Sequence, residues 1–415
     1  RFWRTETQSR ERYYERQRVT AGGKKPITHD PSDLPSSADV VVVGAGIMGL
    51  ATAYHLAERW PKRRIIVIDK GYLCSGASGR NGGGIRAQWS SATNIGLMKE
   101  SLELCADFAT EMGVNVWFRR GGYLFLARDE ERVQQLQASA ELQREHGLPT
   151  RMIDAKAAKA LVPELETHGL LAASWNPDDA VVFPWPFVWG YAKGCAARGV
   201  GIFPFTDVLG FERKGDAISA IRTTGGRIRC SEVVLATGAW SPEVAAHLGL
   251  VLPNKPHRHE ICSTEPLKPF LGPLVADLDS GLYCSQSMRG EIVGGISNER
   301  VPEGIDHGSS LRFLALYAKA MVNTFPRFGA VKVLRQWSGC YDITPDGNPI
   351  VGPVQSVPGL TLLCGFMGHG FMMAPIMGRR IAAYLAKGEG AELIERWGLG
   401  RYERGELLEE AMILG

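Results

Sequence analysis

Runs of β-branched residues alternate with longer stretches of helical periodicity, and this alternation predicts strands joined by helices. Residues 40–43 are four valines and residues 65–68 are Ile-Ile-Val-Ile, compositions typical of strands buried on both faces. Between them the pattern predicts a helix from about Ile47 to Glu58. Similar buried strands are expected at 233–237 and 360–365. This order of elements predicts an α/β fold built on a parallel sheet.

The middle of the chain has a different pattern, in which short apolar runs alternate with turns, as in antiparallel sheets. We therefore expect a discontinuous nucleotide-binding domain with an inserted, mostly antiparallel α+β substrate domain. The nucleotide-binding domain is expected to comprise 38–113, 172–250 and 343–400, and the substrate domain 114–171 and 251–342. An arm and linker at 1–37 precede them, and a tail follows at 401–415. Further predicted elements are helices at 92–112, 129–146, 187–198, 309–324 and 374–387, strands at 122–126 and 201–204, and a hairpin within 208–221.

The turn after the first predicted strand carries the spacing G-x-G-x-x-G at Gly44, Gly46 and Gly49. In dinucleotide-binding folds the first glycine permits a tight turn, the second lets the backbone approach a pyrophosphate, and the third lets the helix pack on the strand. The helix N-terminus directs amides and a positive dipole end at the phosphates. The second strand ends in Asp69, a carboxylate placed to accept a hydrogen bond from a ribose hydroxyl. Together these features predict dinucleotide binding.

A second glycine-rich segment spans 75–84, too rich in glycine for a helix interior. Its unobstructed amides suit an anion-binding concavity beside the pyrophosphate. The alternative is a flexible surface loop, although so many glycines are costly to order unless another group must come close.

Composition and charge narrow the function classes. The 415 residues carry a net charge of +3, too mild a balance to indicate nucleic-acid binding. No apolar run approaches the ~20 residues that a membrane-spanning helix needs. The basic arm at 1–25 interleaves glutamates at helical spacing, which favours a short solvated helix; contact with a partner or a membrane surface is the alternative.

The eight cysteines are scattered and form no C-x-x-C pair, so the sequence predicts neither a zinc site nor a disulfide scaffold. We expect buried thiols in a reducing compartment. This places the protein in the cytoplasm, with a position at the inner face of the membrane as the alternative.

Three signatures in this order resemble the flavin-dependent D-amino-acid-oxidase/sarcosine-oxidase superfamily. They are the turn 44–49, Ala-Thr-Gly-Ala-Trp at 236–240, and the pair formed by 345–352 and 365–372. Segments at 121–126, 173–177, 368–375 and 402–407 look more narrowly like the FAD-bearing catalytic subunit of dye-linked L-proline dehydrogenases. The resemblance implies a glutathione-reductase-type FAD-binding domain and oxidation of a small secondary amine.

The resemblance and the glycine-rich segments together give the expected cofactor-binding residues. Val208 lies at the family position whose backbone contacts the adenine, and the helix after Gly365 is expected to face the flavin. The full set is Gly44, Gly46, Ile47, Met48, Gly49, Asp69, Lys70, Ser75, Gly76, Ala77, Ser78, Arg80, Asn81, Gly82, Gly83, Gly84, Ile85, Val208, Ala236, Thr237, Gly238, Trp240, Gly365, Met367, Gly368, His369, Gly370, Phe371 and Met372.

On the substrate side, the resemblance places Arg86 over the flavin as a carboxylate clamp, to which its bidentate donor fork is suited. Tyr283 matches an active-site tyrosine of the sarcosine oxidases, and Tyr341 precedes the 345–347 turn. His369 either stabilises charge on the flavin or caps the turn. His259 is a further candidate, although packing on a strand face is the simpler interpretation.

Departures from the monomeric sarcosine oxidases bear on the chemistry. Ile292 aligns with a lysine that speeds the reaction with oxygen, which predicts oxygen as a poor acceptor. Gly339 aligns with the cysteine that attaches FAD, and the adjacent Cys340 should point away, so non-covalent FAD is expected. A register error of one residue would reverse this. Met372 replaces a lysine that helps to bind the substrate carboxylate, leaving a more apolar pocket.

These observations predict an FAD-dependent dehydrogenase that oxidises L-proline to pyrroline-5-carboxylate. Hydride would pass to flavin N5, with electrons leaving to a dye, a quinone or a protein. One alternative is an oxidase of glycine, sarcosine or another small amino acid that makes hydrogen peroxide; another is a non-catalytic FAD-carrying subunit. We expect a homo-oligomer or a subunit of a complex. The apolar end at 411–415 is expected to dock on the body, with fraying as the alternative.

Overall fold

The computed structural model describes residues 26–298, 300–408 and 410–412. The helix expected in the basic arm therefore lies outside the described residues. In this part of the chain there are twenty strands: β1 Val40–Val43, β2 Ile65–Ile68, β3 Gly84–Ile85, β4 Arg119–Arg120, β5 Tyr123–Ala127, β6 Arg151–Ile153, β7 Ala172–Asn176, β8 Ala180–Val181, β9 Gly201–Phe203, β10 Val208–Lys214, β11 Ala217–Thr223, β12 Gly226–Arg229, β13 Glu232–Leu235, β14 Lys255–Thr264, β15 Leu274–Asp277, β16 Leu282–Gln286, β17 Ile292–Ile296, β18 Val333–Ile343, β19 Ile350–Pro353 and β20 Leu360–Cys364.

The same residues form ten α-helices, and none of them combines the length and the hydropathy of a membrane-spanning segment. They are α1 Ile47–Arg59, α2 Ala92–Met112, α3 Glu130–Glu145, α4 Ala155–Leu161, α5 Pro184–Ala197, α6 Ser241–Ala246, α7 Leu311–Thr324, α8 Gly370–Lys387, α9 Ala391–Trp397 and α10 Gly400–Glu403.

A six-stranded sheet in the order β19-β20-β13-β1-β2-β9 forms the first layer, and every neighbouring pair except β19–β20 is parallel. Its valines and isoleucines are buried on both faces, as the continuous apolar runs predict. Val40 and Val42 face helices α1, α2, α5 and α8, whereas Val41 and Val43 face the small sheet β10-β11-β12. The strands come from all three ranges expected for the nucleotide-binding domain, and the predicted α/β fold class is confirmed.

The second layer is an eight-stranded sheet in the order β18-β14-β17-β16-β15-β5-β7-β6. All its neighbouring pairs are antiparallel except β5–β15. Helices α4 and α7 bury one face of it, with Phe313 and Tyr317 of α7 in the core. This confirms the mostly antiparallel character of the inserted part. A third small sheet, β3-β8-β4, joins the two layers beside the glycine-rich segment.

Two expected boundaries are wrong. Strand β7 falls in the range 172–250 expected for the nucleotide-binding part, but it pairs with β5 and β6 in the eight-stranded sheet. Helix α8 begins at Gly370, not at residue 374, and contains Pro375. Gly370 and Pro375 disfavour a helix in sequence patterns, yet burial of Phe371 and Met372 against the core stabilises the first turn of this helix.

Candidate active site

One cavity of about 480 Å³ lies between the two large sheets. Its floor is the edge where β1, β2, β13 and β20 end, which is where ligands bind in open parallel sheets. Its opposite wall is the face of the eight-stranded sheet that carries His259, Tyr283 and Tyr341. The geometry therefore offers a nucleotide end on the parallel sheet and a reaction end on the antiparallel sheet.

At the nucleotide end, the glycines of the first turn are required by close packing. Gly44 has a φ of 113°, and a Cβ there would lie 2.3 Å from the carbonyl oxygen of Ala236. A Cβ on Gly49 would lie 2.0 Å from the carbonyl oxygen of Gly44. Gly238 has a φ of 51°, and no atom lies within 4 Å of its Cβ position, so a side chain there would enter the cavity. Gly44 and Gly49 thus let backbone segments of the turn pack closely together, and Gly238 leaves cavity space free for a ligand.

Asp69 directly follows β2, at the rim of the same turn. Its carboxylate accepts hydrogen bonds from the amides of Ala45, at 2.6 Å, and of Gly71, at 2.7 Å. Burial raises the pKa of Asp69 to about 6, against the lowering effect of these two amides. The carboxylate keeps free lone pairs toward the cavity, and these can accept from hydroxyl groups.

The glycine-rich segment 75–84 is fixed by its own side chains, which argues against a flexible surface loop. Ser78 Oγ accepts from the Ile47 amide at the start of α1, at 3.0 Å. Asn81 donates to the Ser78 carbonyl and accepts from the Gly83 amide, both at 2.8 Å. Arg80 donates to the Ser75 carbonyl at 3.1 Å and reaches across to the Ser338 carbonyl of β18 at 3.1 Å. The segment therefore ties the two layers together along the cavity.

At the reaction end, three aromatic side chains form a stack. The His259 and Tyr341 rings are 4.4 Å apart and 8° from parallel, and His259 Nε2 lies 3.1 Å from the Tyr283 hydroxyl. Burial lowers the pKa of His259 to about 4, so its imidazole is neutral at pH 7. Burial also raises the pKa of Tyr341 to about 12 and that of Tyr283 well above its usual value, so both phenols stay protonated. The stack offers neutral hydrogen-bonding groups.

Arg86 is fully buried in the cavity wall. Its guanidinium donates to the backbone carbonyls of Gln88 and Met412 and to His369 Nε2, the last at 3.2 Å. The Cζ atom of the guanidinium lies 4.2 Å from the centre of the Trp89 ring. No carboxylate of the described residues lies within ion-pair distance of it. Its direct hydrogen-bond partners are all neutral, and the carboxylates of Glu410 and Asp179 act on it only from beyond ion-pair distance. An anionic ligand in direct contact would complete its coordination.

His369 lies at the start of α8 and stacks edge-on against Trp89 at 4.8 Å. Burial and the charge of Arg86 lower the pKa of His369 well below its usual value. Because a guanidinium can only donate, Nε2 of the neutral ring accepts and Nδ1 carries the proton. Nδ1 is buried and has no partner among the described residues, as is also true of Thr206 Oγ1 at the nucleotide end. Both atoms belong to residues that line the cavity.

The expected register of β17 is wrong by one residue. Ile292 is fully buried in the core under helix α7, whereas Val293 lines the cavity. Val293 pairs with Ser285 on the same sheet face as Tyr283. Val293 is aliphatic, as Ile292 is, so the inward-facing position of β17 presents no cation to the cavity.

Cys340 pairs with Arg258 across β14 and β18, and its Sγ donates to the Asp306 carbonyl at 3.4 Å. Arg258 forms an ion pair with the Asp306 side chain, so both side chains of this pair point toward the loop at 306. Tyr341 and Gly339 lie on the alternate face, and although Cys340 also borders the cavity, its thiol is directed at Asp306. The thiol is thus directed away from the stack.

Most of the expected site residues line the cavity, although their roles stay predictions. Arg86, Tyr283, Tyr341, His369 and Met372 all lie there, as do the expected cofactor residues apart from Gly49, Ile85, Gly365 and Met367. Of these, Ile85 is a core residue, and Gly49 and Gly365 are in close packing contacts, since a Cβ on Gly365 would lie 2.5 Å from Thr344. Cavity residues that sequence reasoning missed include Tyr123, Thr206, Ser285, Val293 and His307. Tyr123 belongs to the segment 121–126, but the local sequence does not indicate which residues of that strand face the cavity.

Comparison with known proteins agrees with this geometry. Residues 39–384 match the family described as DAO, FAD dependent oxidoreductase. The chain is 30% identical over 382 residues to the sarcosine oxidase subunit beta of Rhodobacter capsulatus, covering 91% of each chain. The L-proline dehydrogenase structure from P. horikoshii superposes with a TM-score of 0.85 at 34% identity, covering 90% of this chain and 100% of that one. Glycine oxidase from Geobacillus kaustophilus gives a TM-score of 0.82 at 25% identity, covering 88% and 99%.

The residues present fit a flavin dinucleotide. Gly238 leaves open space where a side chain would otherwise fill the cavity, Asp69 can accept from ribose hydroxyls, and the unpartnered His369 Nδ1 can donate to a ligand carbonyl. The family match extends over both sheets that enclose the cavity. This chain therefore belongs to the FAD-dependent oxidoreductase family of the DAO type, and its cofactor is FAD.

Proposed function

We propose that this chain is a dehydrogenase of small secondary amino acids, with L-proline as its preferred substrate and pyrroline-5-carboxylate as the product. The observation that carries the proposal is that one cavity contains both Arg86, a buried cation with no carboxylate of the described residues in direct contact, and the neutral stack of His259, Tyr283 and Tyr341. A compact zwitterion with one carboxylate and one ring nitrogen matches these two features. The likeness to the L-proline dehydrogenase structure supports the same choice.

Each residue has a role that follows from its chemistry. Arg86 would hold the substrate carboxylate through its remaining N–H groups. Tyr283 or Tyr341 would bind the amine nitrogen, and neutral His259 can accept the hydrogen bond of the Tyr283 hydroxyl. FAD bound in the cavity would be the acceptor for the hydride on the carbon beside that nitrogen, and the nitrogen would release its protons to solvent as the C=N bond forms. Positioning by these side chains would supply most of the rate, because no covalent bond to the protein is needed.

The proposed acceptor is a dye, a quinone or a protein, with oxygen a poor substitute. Val293 occupies the inward position of β17 and cannot stabilise an anion. We also propose that FAD is held without a covalent link through Cys340, because the Cys340 thiol is directed at Asp306. A sarcosine oxidase relative is named as a beta subunit, which favours a place in a multi-subunit complex for this chain as well.

Anaerobic mixing of the FAD-loaded protein with single amino acids tests the substrate. L-Proline should remove the yellow flavin absorbance faster than D-proline, sarcosine or glycine. Faster loss with sarcosine or glycine would contradict the proline assignment. Loss with none of them would favour a non-catalytic, FAD-carrying subunit.

A second candidate is an oxidase of sarcosine or glycine, which the printed names of two similar proteins favour. Such an enzyme would consume oxygen and release hydrogen peroxide during turnover. Oxygen uptake as fast as reduction of an artificial dye would support this candidate over the dehydrogenase.

Arg86 has its own test within this proposal. Loss of a charge-assisted hydrogen bond costs about 1.5–3 kcal/mol, so Arg86→Lys should raise KM for proline by about 10- to 100-fold, and Arg86→Ala by at least as much. FAD content, read from the absorbance of the purified variants, should stay near the wild-type level. Unchanged KM in both variants would remove Arg86 from the substrate site.

A further inference from the structure

The segment that follows α10, described by the structure at residues 405–408 and 410–412 and called the 405–412 segment below, lies against the body of the protein and reaches Arg86. Its first part is held at the Pro345–Pro349 turn, where the Leu408 amide donates to Asp346 at 3.3 Å. The Asn348 side chain donates to the Leu408 carbonyl at 3.4 Å. The predicted docking of the tail is therefore confirmed as far as Met412, while 413–415 lie outside the described residues.

Glu410 fixes the second part of this segment at the start of α2. Its buried carboxylate accepts from the Ser90 amide at 2.8 Å, from the Ser90 hydroxyl, and from the Asn94 side chain at 2.8 Å. Ser90 Oγ in turn accepts from the Ala411 amide at 2.7 Å. Ser91 caps α2, and a carboxylate beside a helix N-terminus is favoured by the helix dipole.

Met412 completes the contact with the active site. Its side chain is 2% exposed and packs in one apolar cluster with Tyr123, Phe125 and Leu274. Its carbonyl oxygen accepts from the Arg86 guanidinium, while the other terminal nitrogen of Arg86 donates to Gln88. Arg86 is therefore clamped between a carbonyl of its own loop and a carbonyl of the 405–412 segment.

A guanidinium recognises a carboxylate well only when its plane is fixed, because the bidentate geometry depends on orientation. Two backbone carbonyls fix that plane here, and one of them can hold its place only while the 405–412 segment stays docked. Docking at this end depends on Glu410 and Ser90, which do not line the cavity. Their influence on a ligand therefore acts through Arg86.

We propose that Glu410 and Ser90 are positioning residues for substrate recognition: they hold the Met412 carbonyl against Arg86 and so orient the guanidinium toward the substrate carboxylate. This inference rests on the proposed function, in which Arg86 binds that carboxylate. It assigns the 405–412 segment a part in selecting ligands that carry a carboxylate, in addition to its contribution to stability.

The test compares two unreactive ring ligands that differ only in the anion, tetrahydrofuran-2-carboxylate and its carboxamide. Calorimetric titration of the FAD-loaded wild type gives the affinity advantage of the carboxylate. In Glu410→Gln and Ser90→Ala this advantage should fall by about tenfold, with affinity for the carboxamide unchanged. KM for L-proline should rise by a similar factor while kcat changes less. Ser90→Ala carries the test if Glu410→Gln does not fold.

Glu406→Gln is the matched control, since Glu406 belongs to the same segment, is exposed and, among the described residues, forms its ion pair with exposed Arg404. It should retain the wild-type advantage. Equal weakening of both ligands in the Glu410 and Ser90 variants would indicate a purely structural role and overturn the inference. If the Glu410 and Ser90 variants keep the wild-type preference for the carboxylate while Arg86→Ala loses it, the inference is overturned but the proposed function of Arg86 stands. A wild-type advantage in Arg86→Ala as well would overturn the proposed function of Arg86.

Discussion

His259 lies between two tyrosines, and this packing decides its charge. The ring is 7% exposed and stacks on Tyr341, whose other face lies against Gly368: a Cβ on Gly368 would be 2.5 Å from the phenol ring. Neither neighbour offers a negative charge, so burial disfavours the imidazolium form. The stack thus keeps an uncharged base next to the Tyr283 hydroxyl at the pH of most cells.

This environment predicts a pH-dependent stability. The pKa of His259 is about 4 in the folded protein and about 6.5 when unfolded, so the unfolded state binds more protons between these values. His259 should therefore lower the unfolding free energy as pH falls from 6.5 to 4, by at most about 3 kcal/mol. Denaturant unfolding of the wild type and His259→Phe at pH 7 and pH 5 measures this loss.

The variant should lose less stability between the two pH values than the wild type does. His146→Gln, at an exposed position, serves as the control and should follow the wild type. Equal pH dependence in the wild type and His259→Phe would show that the buried imidazole does not resist protonation.

At the scale of single elements, the glycines inside α1 and α2 stand in different environments. Gly49 of α1 packs on the turn after β1, where a Cβ would meet the Gly44 carbonyl at 2.0 Å. Gly96 of α2 has no atom within 4 Å of its Cβ position and a φ in the usual helical range. Only the first glycine is required by the fold.

This difference predicts opposite effects of the same substitution. Gly96→Ala should raise the unfolding free energy by up to about 1 kcal/mol through helix propensity. Gly49→Ala should lower it by more than that and reduce FAD content, because α1 must move off the strand. Thermal unfolding and flavin absorbance measure both. A Gly49→Ala protein as stable as Gly96→Ala would contradict the packing argument.

The register of β17 gives a second prediction at this scale. Val293→Lys places an ammonium in the cavity and should increase the rate of oxygen consumption during turnover by about tenfold or more. Ile292→Lys instead buries the charge under α7 and should yield unstable or insoluble protein. Stopped-flow measurement of oxygen consumption and unfolding curves separate the two. A faster oxygen reaction in Ile292→Lys would restore the original register.

The sequence predicts elements well where local and tertiary preferences agree. The four valines of β1 and the helix after them follow directly from composition, since every residue of that strand is buried. The Val293 register could not be obtained in this way, because Gly294 and Gly295 erase the period-two pattern that would tell inward from outward positions. The clamp on Arg86 was also beyond sequence reasoning, since its partner Met412 is distant in the chain and contributes only a carbonyl group.

Across the whole molecule, one buried ion pair connects the last helices to the parallel sheet. Arg401 of α10 donates to Asp346 at 2.8 and 3.0 Å, and both side chains are almost fully buried. Burial alone would raise the pKa of Asp346, but the hydrogen bonds and charge of Arg401 outweigh it and lower the pKa. The Pro345–Pro349 turn, a family signature in the sequence, thus anchors the end of the chain as the structure describes it.

Removing one partner of this pair should be far more damaging than removing an exposed one. Asp346→Asn should lower the unfolding free energy by about 3–5 kcal/mol, because the Arg401 charge stays buried. Glu303→Gln, which breaks the exposed pair with Lys255, should change it by less than about 1 kcal/mol. Chemical denaturation measures both values. Similar losses in the two variants would contradict a structural role for the buried pair.

The order of strands in the parallel sheet also has a consequence for synthesis in the cell. Strand β1 is flanked by β2 and β13, and β13 needs β20 on its other side, so neighbours in the sheet are made far apart in time. Such non-local pairing slows folding, and the sheet edge that receives the dinucleotide stays unfinished until β20 has left the ribosome. Loading with flavin is therefore expected as a late event, after translation of nearly the whole polypeptide, and a shortage of flavin should leave full-length apoprotein rather than stalled fragments.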